Sequence, residues 1–177
     1  MKLDEVRWTC EAEIRCRIAI AKDAFNKKRE LLTKKLSQNL KKKVIKTIVW
    51  STALYGAEAW ALKEQDRKRL EAFEMWCWRN MEKISWRNHT TNEDVLNLVG
   101  EKRKILKVIL ARKKRWIGHI LRGEGLVKDV MEGRTFGKKG RGRPRIMLLD
   151  DLKKDDSYQA MKSKARDRSL WRQHIYD

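Results

Sequence analysis

Pro144 is the only proline in a chain of 177 residues, and no apolar run approaches the roughly 20 residues that a bilayer-spanning helix needs. The first absence removes the strongest breaker of helices, and the second excludes a helical membrane span. Alternation of apolar and polar residues never persists beyond a few positions, so nothing signals a strand. Cysteines number three, Cys10, Cys16 and Cys77. So small and odd a set builds no disulfide framework and fits a reduced cytosolic or nuclear compartment. Neither these nor His89, His119 and His174 show the short ligand spacing of a zinc finger, so no metal is expected. The segment Met1-Lys2-Leu3-Asp4-Glu5 lacks the apolar stretch of a signal peptide. The expectation is a soluble, intracellular protein, nuclear or cytoplasmic, with no membrane partner.

What is abundant is positive charge. The chain carries 44 Lys and Arg against 24 Asp and Glu, a net charge of +20. The segment from Glu101 to Arg145 holds sixteen of those basic residues and four acids, and so twelve of the twenty excess charges. Segregated charge of this kind concentrates a polyanion, and each neutralised phosphate releases counterions. Nucleic acid is therefore the first partner to consider. The segment ends in Lys138-Lys139-Gly140-Arg141-Gly142-Arg143-Pro144-Arg145, a Gly/Arg-rich stretch expected to be flexible. Its Gly142-Arg143-Pro144 centre, between Arg141 and Arg145, is the core of an AT-hook, an extended peptide suited to a narrow, negative minor groove. A basic linker or an import signal has the same composition.

Hydrophobic residues make up 41 % of the chain and recur at helical spacing, and eight tryptophans need burial or a partner, so disorder is not expected for most of the length. Between Glu11 and Lys43 there is no Gly or Pro, and Ile14, Ile18, Ala21, Phe25, Leu32, Leu36 and Leu40 recur at steps of three, four and seven. That predicts a long N-terminal helical arm, or a helix pair bent near Ser37-Gln38-Asn39. Val44, Ile45, Ile48, Val49 and Leu54 continue toward Gly56 as the most buried helix, and Leu70, Phe73, Cys77, Met81 and Ile84 define the next, with Cys77 a core residue. Thr90-Thr91-Asn92-Glu93 reads as a capping box and Gly100 as the end of that helix. Ile105, Ile109, Trp116 and Ile120, with Leu106, Leu110, Ile117 and Leu121 beside them, make a basic amphipathic helix. A turn or two is expected at Val127 to Met131, a helix at Ile146 to Lys154 after Pro144, and a last one capped by Ser157 and leading to Trp171.

Lys104, Lys107, Arg112, Lys113, Lys114 and Arg115 on or beside the basic helix are the candidates for phosphate contacts. Arg112 to Arg115 occupy nearly a full turn, so their charges cannot all point one way. Trp116 is in phase with Ile109 and Ile120 and is read as core in preference to a base-stacking platform. Lys138, Lys139, Arg141, Arg143, Pro144 and Arg145 form the second candidate contact. Asp150-Asp151 is an acidic pair that invites a two-metal reading, but a helix start after Pro144 argues for a surface role instead, and Asp155-Asp156 is no better placed. No Ser/His/Asp, Cys/His or P-loop arrangement is present. No catalytic residue and no cofactor is assigned.

Several phrases, in order along nearly the whole chain, carry a resemblance. They are Ile18-Ala19-Ile20-Ala21-Lys22, Leu54-Tyr55-Gly56-Ala57-Glu58-Ala59-Trp60, Leu70-Glu71-Ala72-Phe73-Glu74-Met75-Trp76-Cys77-Trp78-Arg79 and Ile84-Ser85-Trp86. Arg115-Trp116-Ile117-Gly118-His119-Ile120-Leu121-Arg122, Gly140 to Arg145, and Asp167-Arg168 to Trp171-Arg172 continue the series. Together they resemble the end of the endonuclease and reverse transcriptase polyprotein of LINE-type, non-long-terminal-repeat retrotransposons, in RTE-like or neighbouring branches. The resemblance implies the region beyond the polymerase palm: thumb helices and a basic tail that holds template RNA or target DNA, with the endonuclease and the polymerase aspartates upstream. It implies a truncated or degenerate frame without catalysis of its own, and an apolar face, bared by the missing palm, on which copies would self-associate.

The fold expected is all-α, a thumb-like bundle with a helical arm and a flexible basic segment. Its divisions are 1–100 for the thumb-like helices, 101–123 for the basic helix, 124–145 for the linker and 146–177 for short C-terminal helices. The function expected is non-catalytic nucleic-acid binding. The alternatives are a structural or interaction protein whose arm pairs through Ile18, Phe25 and Leu32, and a part of an active RNA-directed DNA polymerase completed by upstream sequence.

Overall fold

The computed structural model describes residues 10–33, 36–133, 146–152 and 157–176. Among them every regular element is helical, so the class is all-α. The chain divides into two compact units, Met1–Gly56 with Leu62–Leu106, and Ala57–Ala61 with Lys107–Asp177.

The first unit begins with α1 (Cys10–Lys27), which buries Ile14, Ala21 and Phe25 at the predicted spacing. The run breaks at Lys28, continues as α2 (Arg29–Thr33), and restarts at α3 (Gln38–Val44), where the Ser37 hydroxyl accepts from the Leu40 amide. The expected bend is therefore present, but α1 is no free arm: it packs on the π turn Ile45–Val49, on α4 (Trp50–Ala53) and on α5 (Glu64–Met81). Phe25 and Leu32, two of the three residues of the proposed partner seam, are buried. Phe25 meets Trp76 edge to face at 5.0 Å, and Trp50 meets Trp78 at 5.7 Å, which uses four large aromatics within this core. Cys77 is buried among them, and burial pushes its thiol far above the ordinary range, so it packs as a small apolar group.

Short-range polar contacts set the ends of these helices. At α6 (Asn92–Val99) the capping box lies one residue later than the sequence reading placed it: the Thr91 hydroxyl accepts from the Asp94 amide at 3.2 Å, and Asp94 accepts from the Thr91 amide at 3.2 Å. Thr90 is otherwise engaged, its hydroxyl donating to Asn88 O and its carbonyl accepting from Arg79. Gly100 ends α6 at φ 65°, a left-handed position that a glycine takes without a Cβ penalty. Lys42 Nζ then donates to Val99 O at 2.9 Å, so a cation covers the carbonyl end of the helix.

The second unit is built on α7 (Ile105–Arg122) from Lys107 onward, which is followed by α8 (Leu126–Glu132), α9 (Tyr158–Arg166) and α10 (Arg168–Tyr176). Ile117, Leu121, Leu152, Met161, Ala165 and Trp171 form one buried cluster, with Leu110, Trp116, Tyr158 and Ile175 packed on it. The basic helix and the C-terminal helices, which the sequence reading treated as separate stretches, thus share a core. Two expectations fail here. Residues 148–152 are turns and not a helix, because Asp150 folds back to accept from the Met147 amide at 2.7 Å. The last helix is two helices, because Asp167 interrupts it and accepts from the amides of Ser169 and Leu170, capping α10.

Candidate nucleic-acid interface

The basic helix starts on a buried acid. Glu74, fully buried on α5, accepts from the amides of Lys104 at 2.9 Å and Ile105 at 3.2 Å. The first-turn amides of a helix lack intrahelical acceptors, and a carboxylate there satisfies two of them while facing the positive end of the dipole. Burial pushes the Glu74 carboxyl above its ordinary value, against the pull of those two amides. No local pattern could have revealed this cap, since thirty residues separate donor and acceptor.

Beyond that anchor the cations of α7 divide by direction. Ile109, Lys113, Ile117 and Leu121 recur every four residues and all are buried. Lys113, only 1 % exposed, donates through Nζ to Trp60 O at 2.6 Å and Leu148 O at 3.3 Å and pairs with Asp151 at 3.2 Å. Lys114, 6 % exposed, donates to His174 O near the end of α10. Arg122 is half-buried and donates from Nη1 to Ala165 O at 2.9 Å near the end of α9. Lys114 and Arg122 thus cross from α7 to the carbonyl ends of α10 and α9, where the helix dipole favours positive charge.

Lys113 and Lys114 are therefore corrected: as placed here their ammonium groups are spent inside the second unit and do not face a phosphate. Asp150 and Asp151 do not sit on the surface of a helix as expected: one closes a turn and the other neutralises Lys113. A buried ammonium without such partners would be very costly.

Lys104 is exposed and lies 3.4 Å from Glu101, Lys107 and Arg115 are exposed, and Arg112 is half-buried. Arg112, Arg115, His119 and Arg122 follow each other at steps of three, four and three, one stripe on the side away from Ile117. Trp116 is half-buried and packs against the core cluster, so its main role is packing. Arg122, Arg168 and Arg172 are positive groups of the same unit that the sequence reading did not select, whereas it did select Arg115. Arg115, Arg122 and Arg172 line one cleft of about 240 Å³ together with Ile175. Lys138, Lys139, Arg141, Arg143, Pro144 and Arg145 lie outside the described residues.

Among the described residues no three His, Cys, Asp or Glu side chains gather as a metal site would require, and no helix is long and apolar enough to cross a membrane. No protein-family model matches the chain, and no curated protein or solved structure matches it.

Proposed function

We propose that this chain is a non-catalytic nucleic-acid binder, similar in kind to the thumb and basic tail of a LINE-type retrotransposon reverse transcriptase, which grips the phosphate backbone of template RNA or target DNA. The observation that carries this reading is basic charge that stays exposed after folding. Lys113, Lys114 and Arg122 are drawn into internal contacts, yet Lys104, Lys107 and Arg115 stay exposed on the same stretch, within a segment that holds twelve of the twenty excess charges. Phosphate contacts of this sort position a protein without reading bases, so sequence preference is low. Lys138 to Arg145 supply a second contact. Polymerase and endonuclease chemistry are not part of the proposal.

The test is binding of a labelled RNA–DNA hybrid by nuclease-treated protein. Replacing Lys104, Lys107, Arg112 and Arg115 together by Gln weakens binding on the order of tenfold or more and flattens its salt dependence, at roughly one unit of log-log slope per phosphate lost. Unchanged affinity and slope in the variant rule out α7 as the gripping face.

One observation favours a second reading, that of a helical interaction protein. Leu126 and Val130 of α8 are 77 % and 71 % exposed, one turn apart on the same helix, with Met147 also exposed. Under that reading the purified protein is a stable dimer that leaves the hybrid unshifted, and its charge serves solubility or import.

A further inference from the structure

The cleft between α7 and α10 collects positive charge to a degree that helix ends alone do not explain. Arg115 and Arg122 stand seven residues apart on one face of α7, and Arg168 and Arg172 stand four apart on α10. Arg115, Arg122 and Arg172 line the cleft with Ile175, and among the described residues no carboxylate lines it. Arg168 lies close enough to bear on Arg122, whose guanidinium is held below its ordinary value first by burial and then by the Arg168 charge. The nearby carbonyl ends of α7, α9 and α10 each contribute about half a negative charge. The three guanidinium groups that line the cleft carry more positive charge than those ends carry negative.

The walls are also held in place. The Trp171 indole donates to Lys114 O at 3.0 Å and presses on Gly118, where a Cβ would fall 2.0 Å from Nε1. Lys114 reaches back to His174 O. Arg122 is oriented by its bond to Ala165 O, which leaves the rest of its planar fork for another acceptor. Converging guanidinium groups on locked helices match the tetrahedral oxygens of a phosphate, which accept from several forks at once.

We propose that Arg115, Arg122 and Arg172 form a phosphate-binding cleft, the fixed point at which this protein holds one backbone phosphate of a nucleic acid. The proposal rests on the nucleic-acid reading for the source of that phosphate, and goes beyond it by naming an ordered site on α7 and α10.

The experiment uses the full chain and two probes, inorganic phosphate and an RNA–DNA hybrid, with three forms of the protein: wild type, Arg115→Gln/Arg172→Gln, and Lys63→Gln/Lys68→Gln as a control of equal charge loss at exposed positions of the first unit. Arg122 is left intact because of its bond to Ala165. Phosphate is expected to move the Arg172 side-chain NMR signal in the wild type, with chloride at matched ionic strength moving it far less. The arginine variant is expected to bind the hybrid on the order of tenfold more weakly, with a salt slope smaller by about one to two, while the lysine control loses about twofold or less. An unmoved Arg172 signal, or equal losses in the two variants, overturns the cleft. Where an Arg115→Gln/Arg172→Gln protein melts early, Arg115→Lys/Arg172→Lys is substituted, which keeps charge and removes the fork; affinity equal to wild type then overturns the proposal. A wild type that binds phosphate but no nucleic acid of any form ends the nucleic-acid reading and, with it, the backbone as the source of the phosphate. Loss confined to the arginine variant upholds both.

Discussion

Lys113 shows how one residue can look like a ligand contact and serve the fold. It sits in a run of four cations, but its register with Ile109, Ile117 and Leu121 turns it inward, onto two carbonyl oxygens and Asp151. Removing one member of such a set strands the others, so Lys113→Met is expected to destabilise the protein by about 3 kcal/mol, as seen by urea unfolding. Its affinity for nucleic acid, corrected for the folded fraction, stays unchanged. That register was legible in the sequence, since the apolar residues on either side keep a strict step of four. Composition alone hid it. Glu74 is the opposite case, with no local signal for a bond to the start of a helix thirty residues on. Its folded value lies above the ordinary 4.5, so the native state holds the proton more tightly than the unfolded chain. Stability from this group therefore falls as pH rises from 4.5 through the folded value. The difference in unfolding free energy between wild type and Glu74→Gln shrinks across that window, and a constant difference would show that Glu74 titrates normally.

At the level of elements, periodicity located α1, α5 and α7, and the cap at Ser157 and the stop at Gly100 stand where their chemistry puts them. One error falls where two adjacent residues compete for one task. Thr91 and Asp94 close the capping box, although Thr90 and Glu93 fit the same pattern one position earlier. The Thr91 hydroxyl, with its amide, holds the Asp94 carboxyl below its ordinary 3.8. The contribution of this cap is present above that value and is lost as pH falls through the lower folded one. In Thr91→Ala the Asp94 titration followed by NMR moves back up toward 3.8, and no movement would assign the cap elsewhere. Gly118 could not be read as a contact, because a glycine within an amphipathic helix signals nothing about what lies against it. Trp171 occupies the space a Cβ would need. Gly118→Ala gains about 1 kcal/mol in helix propensity and loses more, about 1 to 3 kcal/mol of overpacking beyond that gain, so it lowers stability and shifts the Trp171 indole signal.

For the whole molecule the charge has two uses, and only the structure separates them. Part of the +20 net charge works internally: Lys42, Lys114 and Arg122 each cover a carbonyl near a helix end. This explains why so basic a chain can still pack, since its cations meet helix dipoles where acids are few. Another part, with Lys104, Lys107 and Arg115, is exposed. All-α class followed from the missing alternation and the single proline. The gathering of Arg115, Arg122 and Arg172 did not, because it depends on how α10 docks on α7 and involves residues fifty apart. The measurement that bears most directly on the account is the salt dependence of hybrid binding by the intact, nuclease-treated protein. If four or more phosphates are neutralised, log affinity against log salt has a slope of about −3 or steeper. Absence of binding at low salt, or a slope near zero, would contradict the claim that the surplus charge grips a nucleic-acid backbone.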